Sequence, residues 1–213
     1  ELWGNNTADI DVRSLLHEYP LVAQTQGGEY QLNETVISRI TKMTENNGDV
    51  TYRVTIKEGL KYCDGSPIDA RDYLFSFLLF SSPQVRSMTG ITPSYAHIIG
   101  FDAYHDGSTK VFSGLRLIDE QTFSLRIKKE YLPYFYEIAY ININPYPISS
   151  IVPGGKVMDD GRGAYIQGEM TDDILRKTIL DSEKGYLSHP TVSSGPYRLL
   201  SYDSESHVAE FEI

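Results

Sequence analysis

The chain has 213 residues and a formal net charge of −10, with 40% hydrophobic and 23% charged residues. This composition supports a substantial core in one or two compact units, and it excludes a disordered or membrane-spanning chain. Phosphate binding needs clustered Lys and Arg, which the sequence lacks, so a nucleic-acid partner is excluded. The negative charge also disfavours an acidic partner.

The most informative elements in chain order lie between residues 51 and 78. Tyr52, Val54 and Ile56 alternate with polar residues, a pattern that predicts a strand with one buried face. A turn is predicted at residues 64–67, and Asp69 is placed to cap the helix that follows. The predicted core stripe of that helix has the spacing i, i+3, i+4, i+7 and i+8: Ala70, Tyr73, Leu74, Phe77 and Leu78.

A mixed region follows. Residues 132–140 predict a short helix with Pro133 in its first turn, where the missing N–H is harmless. Three prolines indicate an irregular loop at residues 142–153. The glycines of residues 154–155 and 161–163 favour a mobile loop over a phosphate-binding loop.

The last third of the sequence predicts one helix and one hairpin. Residues 172–184 have the pattern of an amphipathic helix with Ile174, Leu175 and Ile179 inward and Gly185 as its C-terminal cap. Residues 195–202 and 207–213 predict a hairpin that turns at residues 203–205.

The sequence offers little catalytic chemistry. The common motifs of hydrolases, P-loop proteins, zinc proteases and dinucleotide-binding enzymes are absent. Surface or loop roles rather than metal ligation are predicted for the five histidines, and solvated turns or helix caps for the Asp pairs at 159–160 and 172–173. The single Cys63 excludes an intrachain disulfide and is predicted to be a small buried or half-buried side chain. We expect neither a metal nor a cofactor.

Residues 57–72, KEGLKYCDGSPIDARD, resemble the signature of the family 5 extracellular solute-binding proteins, the oligopeptide, dipeptide and nickel receptors of ABC importers. Tyr62 and Cys63 stand where that family usually has Trp and Ser. Residues 115–127 resemble the family's hairpin, residues 131–136 resemble the helix start that follows it, and residues 193–199 resemble its returning strand. The resemblance covers residues 30–213 and thins at residues 154–168. The positions that match the signature are structural: Gly59, Tyr62, Asp64, Gly65, Pro67, Ala70, Asp72, Gly195, Pro196 and Tyr197.

The resemblance implies an α/β fold of mixed sheets, the type II periplasmic-binding-protein fold, in which two lobes close about a ligand. Residues 1–45 would begin the first lobe, residues 46–165 would form its small subdomain, and residues 166–213 would return to the first lobe. The sequence is expected to stop before a second lobe, so we expect the isolated chain to bind peptide weakly or not at all.

The resemblance also implies a function, which is capture of peptides, oligopeptides foremost, outside the membrane for an ABC permease and its ATPase. The protein would be extracytoplasmic, either periplasmic or a cell-surface lipoprotein that meets the membrane only through a lipid anchor. Tyr95 would contact the ligand, as would the first strand and loop, where backbone groups can pair with an extended peptide: Trp3, Gly4, Asn5, Asn6 and Thr7.

Two alternatives stay open beside the non-enzymatic receptor: a hydrolase on an α/β core, and a surface adhesion or interaction module. The composition bears on the second, because 16 Tyr stand against one Trp. Tyrosine combines a rigid apolar ring with a polar tip and suits ligand and protein interfaces. Tyr52, Tyr73, Tyr134 and Tyr197 are nevertheless predicted to pack in the core.

Overall fold

A computed structural model describes residues 7–90, 95–203, 205–206 and 208–213. The α-helices are α1 (Thr7–Leu16), α2 (Ala70–Ser81), α3 (Pro83–Thr89), α4 (Phe101–His105), α5 (Ile148–Ile151) and α6 (Asp172–Leu175). The strands are β1 (Val22–Gln24), β2 (Tyr30–Leu32), β3 (Ile37–Thr44), β4 (Val50–Ile56), β5 (Leu115–Leu117), β6 (Thr122–Ile127), β7 (Lys156–Asp159), β8 (Ala164–Gln167), β9 (Arg198–Asp203) and β10 (Val208–Glu212).

The centre of the fold is a four-stranded antiparallel sheet in the order β3-β4-β6-β5. β4 buries Val50, Tyr52, Val54 and Ile56 and turns the residues between them outward, which confirms the strand that the alternation predicts. β5 and β6 form the hairpin expected at residues 115–127.

Helix α2 covers the buried face of this sheet and packs against β5, β6, β7 and β8. The Asp69 side chain accepts a hydrogen bond from Arg71 N at 2.7 Å, and the Asp72 carboxylate accepts one from Asp69 N at 2.8 Å, so both ends of a capping box are present. The ring of Tyr73 stacks on Phe123 of β6 with the two centroids 6.0 Å apart. The predicted start and core stripe of this helix are confirmed.

Two helix predictions are wrong in extent. Residues 132–136 lie outside any helix, and a short 3₁₀ helix begins only at Glu137 and ends at Ile141. α6 continues as a π-helical turn that ends at Leu180, and the helix is capped at Asp181 rather than Gly185. The Asp181 side chain accepts hydrogen bonds from the next turn, from Glu183 N and Lys184 N, and this competes with helix propagation.

The glycines of residues 154–155 and 161–163, which predict a mobile loop, instead flank and connect the two strands of a β-hairpin, β7 and β8. Val157 and Ala164 are buried in the core, and Phe112 N donates to Ala164 O at 2.8 Å. At Gly163 a Cβ atom would lie 2.5 Å from Phe112 O, so this glycine permits close packing rather than mobility. The Asp159–Asp160 pair does form the predicted turn, where each carboxylate accepts a backbone N–H two residues on.

β9 and β10 pair antiparallel and form the hairpin that was predicted at the end of the sequence. Within the described ranges, we find no helix with the length and apolar character needed to cross a membrane.

Candidate functional site

The residues that match the signature meet at a junction of three segments that are distant in sequence. Cys63 N donates to Ser193 O at 2.8 Å, and Gly195 N donates to Leu16 O, at the end of α1, at 2.7 Å. The junction therefore joins α1, the turn before α2 and the strand segment that precedes β9.

Gly195 is required at the junction by close packing. A Cβ atom at this position would lie 2.3 Å from Leu15 O, far inside van der Waals contact. In the turn before α2 the need is conformational, because Gly59 and Gly65 have φ angles of 85° and 84°, which favour glycine. Asp64 accepts hydrogen bonds from the backbone and side chain of Ser66, and Pro67 forms a bridge with Lys61.

The buried pair Tyr62 and Asp72 lies beside the junction. Burial raises the pKa of Asp72 to about 7; the hydrogen bond from Asp69 N opposes that rise, and the negative charge of Asp69 adds to it. Burial, and then the charge of Asp72, raise the pKa of Tyr62. The arrangement is one of packing and helix capping, and Tyr62 and Asp72 are largely closed to solvent.

The predicted exposure of two residue types is wrong here. Cys63 is exposed rather than buried, because its side chain lies at the rim of the junction, where Ser193 N donates to Sγ at 3.4 Å. His17 and His97 lie outside helices and strands, as a loop role requires, and His105 ends α4, but all three are buried rather than on the surface. The rings of His97 and His105 lie 3.0 and 2.9 Å from backbone carbonyl oxygens. Among the described residues, no group of three or more His, Cys, Asp or Glu is placed to hold a metal ion.

The candidates for ligand contact lie elsewhere. Residues 3–6 fall outside the described residues, and the exposed Thr7 begins α1. Tyr95 is half-buried, and its ring meets Phe77 of α2 edge-on with the centroids 5.1 Å apart. Burial raises the pKa of Tyr95, so the phenol stays neutral at physiological pH.

Tyr95 stands at the inner end of a continuous series of ring contacts, which we call the aromatic series. His97 lies 6.3 Å from Tyr95, Tyr140 stacks 4.3 Å from His97, and Tyr134 stacks 5.0 Å from Tyr140, all between ring centroids. The series continues to the surface through three further rings: Tyr136, Tyr30 of β2 and Phe135.

The outer end of the aromatic series is exposed. Phe135 is 89% exposed, Tyr134 45% and Tyr136 41%, so three adjacent aromatic side chains face solvent. Tyr134 is therefore not a core residue as predicted, whereas Tyr52 and Tyr73 are, and Tyr197 is half-buried. The sequence signal for this exposed surface is the local density of aromatic residues, since residues 131–136 contain four aromatic side chains.

Polar groups fix the base of the aromatic series. Glu137 accepts a hydrogen bond from the Tyr52 hydroxyl and pairs with Lys42 at 2.7 Å. Asn142 Oδ1 accepts from Val22 N at 3.0 Å, and Ile143 O accepts from Leu21 N at 3.2 Å. Rigid aromatic faces with hydroxyl tips can hold apolar or peptide-like groups without covalent chemistry.

The fold places the chain in a known class of proteins. It superimposes on the substrate-binding domain of an oligopeptide ABC transporter from Bacillus anthracis str. Ames with a TM-score of 0.63 and 16% identity, over 95% of this chain and 33% of that one. The fold is that of the type II periplasmic binding proteins, as predicted, and it combines helices with sheets. The expected mixed sheet is not found in the described residues, where every strand pair is antiparallel.

Residues 34–212 match the sequence profile of the bacterial extracellular solute-binding proteins, family 5 middle. The chain belongs to this family, which confirms the resemblance found in residues 57–72, 115–127 and 193–199.

Two curated relatives are oligopeptide-binding proteins by name. The chain is 25% identical to the periplasmic oligopeptide-binding protein OppA of Salmonella typhimurium over 114 residues, which is 53% of this chain and 21% of the relative. It is 39% identical to the oligopeptide-binding protein OppA of Lactococcus lactis subsp. lactis over 69 residues, 32% of this chain and 11% of the relative. The aligned part thus spans at most about a fifth of either relative.

Proposed function

We propose that the protein containing this chain is the substrate-binding component of an ABC importer and captures peptides, oligopeptides foremost. The observation that carries this proposal is the family match over residues 34–212. Relatives named for oligopeptide binding support the choice of peptides. Binding proceeds without turnover, because the family consists of binding proteins rather than enzymes.

The partners and the location follow from the same family membership. The protein works outside the cytoplasm, in the periplasm or as a lipid-anchored protein at the cell surface, and it passes its ligand to a permease that an ATPase drives. The relative from Salmonella typhimurium is periplasmic by name, which supports this location.

We also propose a division of the chain into structural units and a set of peptide contacts. Residues 1–45 and 166–213 belong to the first lobe, joined at the junction of Leu16 with Gly195. Residues 46–165 form a subdomain that contains β4, β5 and β6, three strands of the central sheet, and the fourth strand, β3, comes from residues 1–45. Tyr95 and residues 3–7 contact the peptide, and the half-buried position of Tyr95 leaves part of its ring accessible for that contact.

Uptake in the native host tests this function. Deletion of the gene that encodes the chain should lower uptake of radiolabelled mixed-sequence oligopeptides, and the intact gene should restore it. A Tyr95→Ala version should restore it less well than Tyr95→Phe, since Phe keeps the ring that packs on Phe77. Unchanged peptide uptake with reduced uptake of a sugar or a nickel chelate would show that the ligand class is wrong.

The exposed aromatic side chains favour a second candidate, an interaction module at the cell surface. This candidate makes a different prediction for the same strains. Loss of the gene would then weaken attachment of cells to a protein-coated surface while peptide uptake stays normal, and Phe135→Ser would reproduce the attachment defect.

A further inference from the structure

The edge strand β3 leaves one side of the central sheet open. It pairs with β4 along its length, and β4 in turn pairs with β6. Within the described part of the chain, no backbone group of residues 38–44 bonds to any segment other than β4. Nearly all of β3 is exposed, including Met43 at 57%. An exposed strand with free N–H and C=O groups is a template for another strand.

The solvent-facing side of this edge carries unneutralised positive charge. Arg39 and Thr41 of β3 lie opposite Thr55 and Arg53 of β4, on the face that points away from α2. Both arginines are exposed, and among the described residues no carboxylate comes within ion-pair distance of either. β3 itself contains no acidic residue, although the chain as a whole has a net charge of −10.

The other arginines of this face are already neutralised. Arg126 of β6 pairs with Asp49 at 2.9 Å, and Arg116 of β5 pairs with Asp159 at 2.7 Å. A further carboxylate, that of Glu45, accepts a hydrogen bond from Thr51 Oγ1 at the far end of the strand pair. The unneutralised charge is therefore confined to the β3 edge and the adjoining strand.

We propose that β3 is a docking site for an extended acidic peptide segment, which adds to the sheet as a further antiparallel strand and sets its carboxylates against Arg39 and Arg53. Arg39 would adjoin the added strand directly, and Arg53 lies one strand further on the same face of the sheet, diagonal to Arg39. Alternate side chains of the added strand would point to this face and bring their carboxylates to the side that carries both arginines. Guanidinium groups bind carboxylates with two parallel hydrogen bonds, which adds specificity to charge attraction. The arginines lie on the opposite face of the sheet from Lys42, which pairs with Glu137 at the base of the aromatic series. The proposed role goes beyond ligand capture for import.

Fluorescence anisotropy with the 213-residue chain tests the proposal. The probe is a fluorescein-labelled, acetylated seven-residue peptide in which Glu alternates with Thr or Val. Binding should saturate, and Arg39→Glu or Arg53→Glu should weaken it by about tenfold or more. Arg176→Glu is the matched control, because Arg176 is exposed on the π-helical turn and its replacement changes the net charge by the same amount. This variant should bind the probe within about twofold of the unchanged protein.

Backbone pairing is tested separately from charge. A probe with N-methyl groups on alternate amides should bind at least about tenfold more weakly, since it cannot donate to β3. Hydrogen exchange of residues 38–44 should slow when the unmodified probe binds. No binding, equal binding by the Arg39→Glu and Arg176→Glu proteins, or equal binding of the N-methylated probe would each overturn the proposal. If a charge-reversal variant fails to fold, Arg39→Gln or Arg53→Gln is used in its place. Cells that carry either Gln variant should take up peptides normally.

Discussion

The junction and the aromatic series use tyrosine in opposite ways. At the junction, Tyr62 and Tyr186 are 5% and 2% exposed, and the Tyr186 hydroxyl donates to Val192 O. In the aromatic series, Tyr134 and Tyr136 are 45% and 41% exposed and mostly contact other rings. Residues of one type therefore stabilise the fold in one region and form an accessible surface in the other. The difference lies in backbone contacts from distant segments, which close over the junction but not over residues 134–136.

We expect the largest loss of stability from a substitution of Gly195, at the junction. Gly195→Ala should lower the free energy of unfolding by about 3 kcal/mol or more, because the new methyl group overlaps Leu15 O and parts α1 from the returning strand. Urea unfolding measures the change. Gly27→Ala is the control and should stay within about 1 kcal/mol, since Gly27 has room for a Cβ atom. Equal unfolding midpoints for the two variants would contradict the close packing.

The junction should also make stability depend on pH through Asp72. Its pKa is about 7 in the folded protein, against 3.8 as the ordinary value. Between about pH 4 and pH 7 the unfolded chain has lost a proton that the folded protein keeps, so the free energy of unfolding falls as pH rises, by at most about 1.4 kcal/mol per unit.

Asp72→Asn should flatten that dependence. The Asn side-chain oxygen can still accept the hydrogen bond from Asp69 N that closes the capping box. Urea unfolding of both proteins at several pH values between 4 and 7 measures the two slopes. Parallel slopes would show that other groups cause the dependence.

In the aromatic series, substitution should leave stability intact. Phe135→Ser should change the free energy of unfolding by less than about 0.5 kcal/mol, because the ring is 89% exposed. It should also reduce the fluorescence of an added apolar dye, since less exposed aromatic surface remains. A loss of stability comparable to that of Gly195→Ala would show that the outer rings support the fold.

The smallest effect is expected at Cys63. Cys63→Ser should change stability by less than about 0.5 kcal/mol, because the side chain is exposed and Ser can accept the same bond from Ser193 N. In the folded protein the thiol should react with a water-soluble disulfide reagent about as fast as in urea. Strong protection from the reagent in the folded protein would place the thiol in the interior.

Local patterns predicted the parts of the fold that local forces determine. The alternation of residues 51–57 and the spacing from Ala70 to Leu78 predicted the buried faces correctly, and Asp69 marked the helix start. The hairpin β7–β8 was missed because its glycines suggested a loop. Glycine is needed at position 163 because the backbone of residue 112 lies too close for a Cβ atom, and this contact exists only in the folded chain.

The site was predicted less well than the fold. The signature identified the family, yet its residues serve packing, so it did not indicate where a ligand would meet the surface. Tyr95 was chosen through the resemblance and its role as a ligand contact stays a prediction. The rest of the aromatic series forms because residues 30, 97 and 134–140 come together in the fold. Contacts between residues so far apart in the sequence leave no periodic pattern from which they could be predicted.

The bond between Cys63 N and Ser193 O has a consequence for synthesis on the ribosome. The two residues are 130 positions apart, so at about 5–20 residues per second the turn before α2 waits on the order of 10 s for its partner. The sheet strands β3 to β6 are complete well before that. Until residue 193 has been synthesised, Tyr62 and Asp72 lack the segment that packs beside them in the folded protein, and we expect the turn before α2 to be accessible to chaperones during that time.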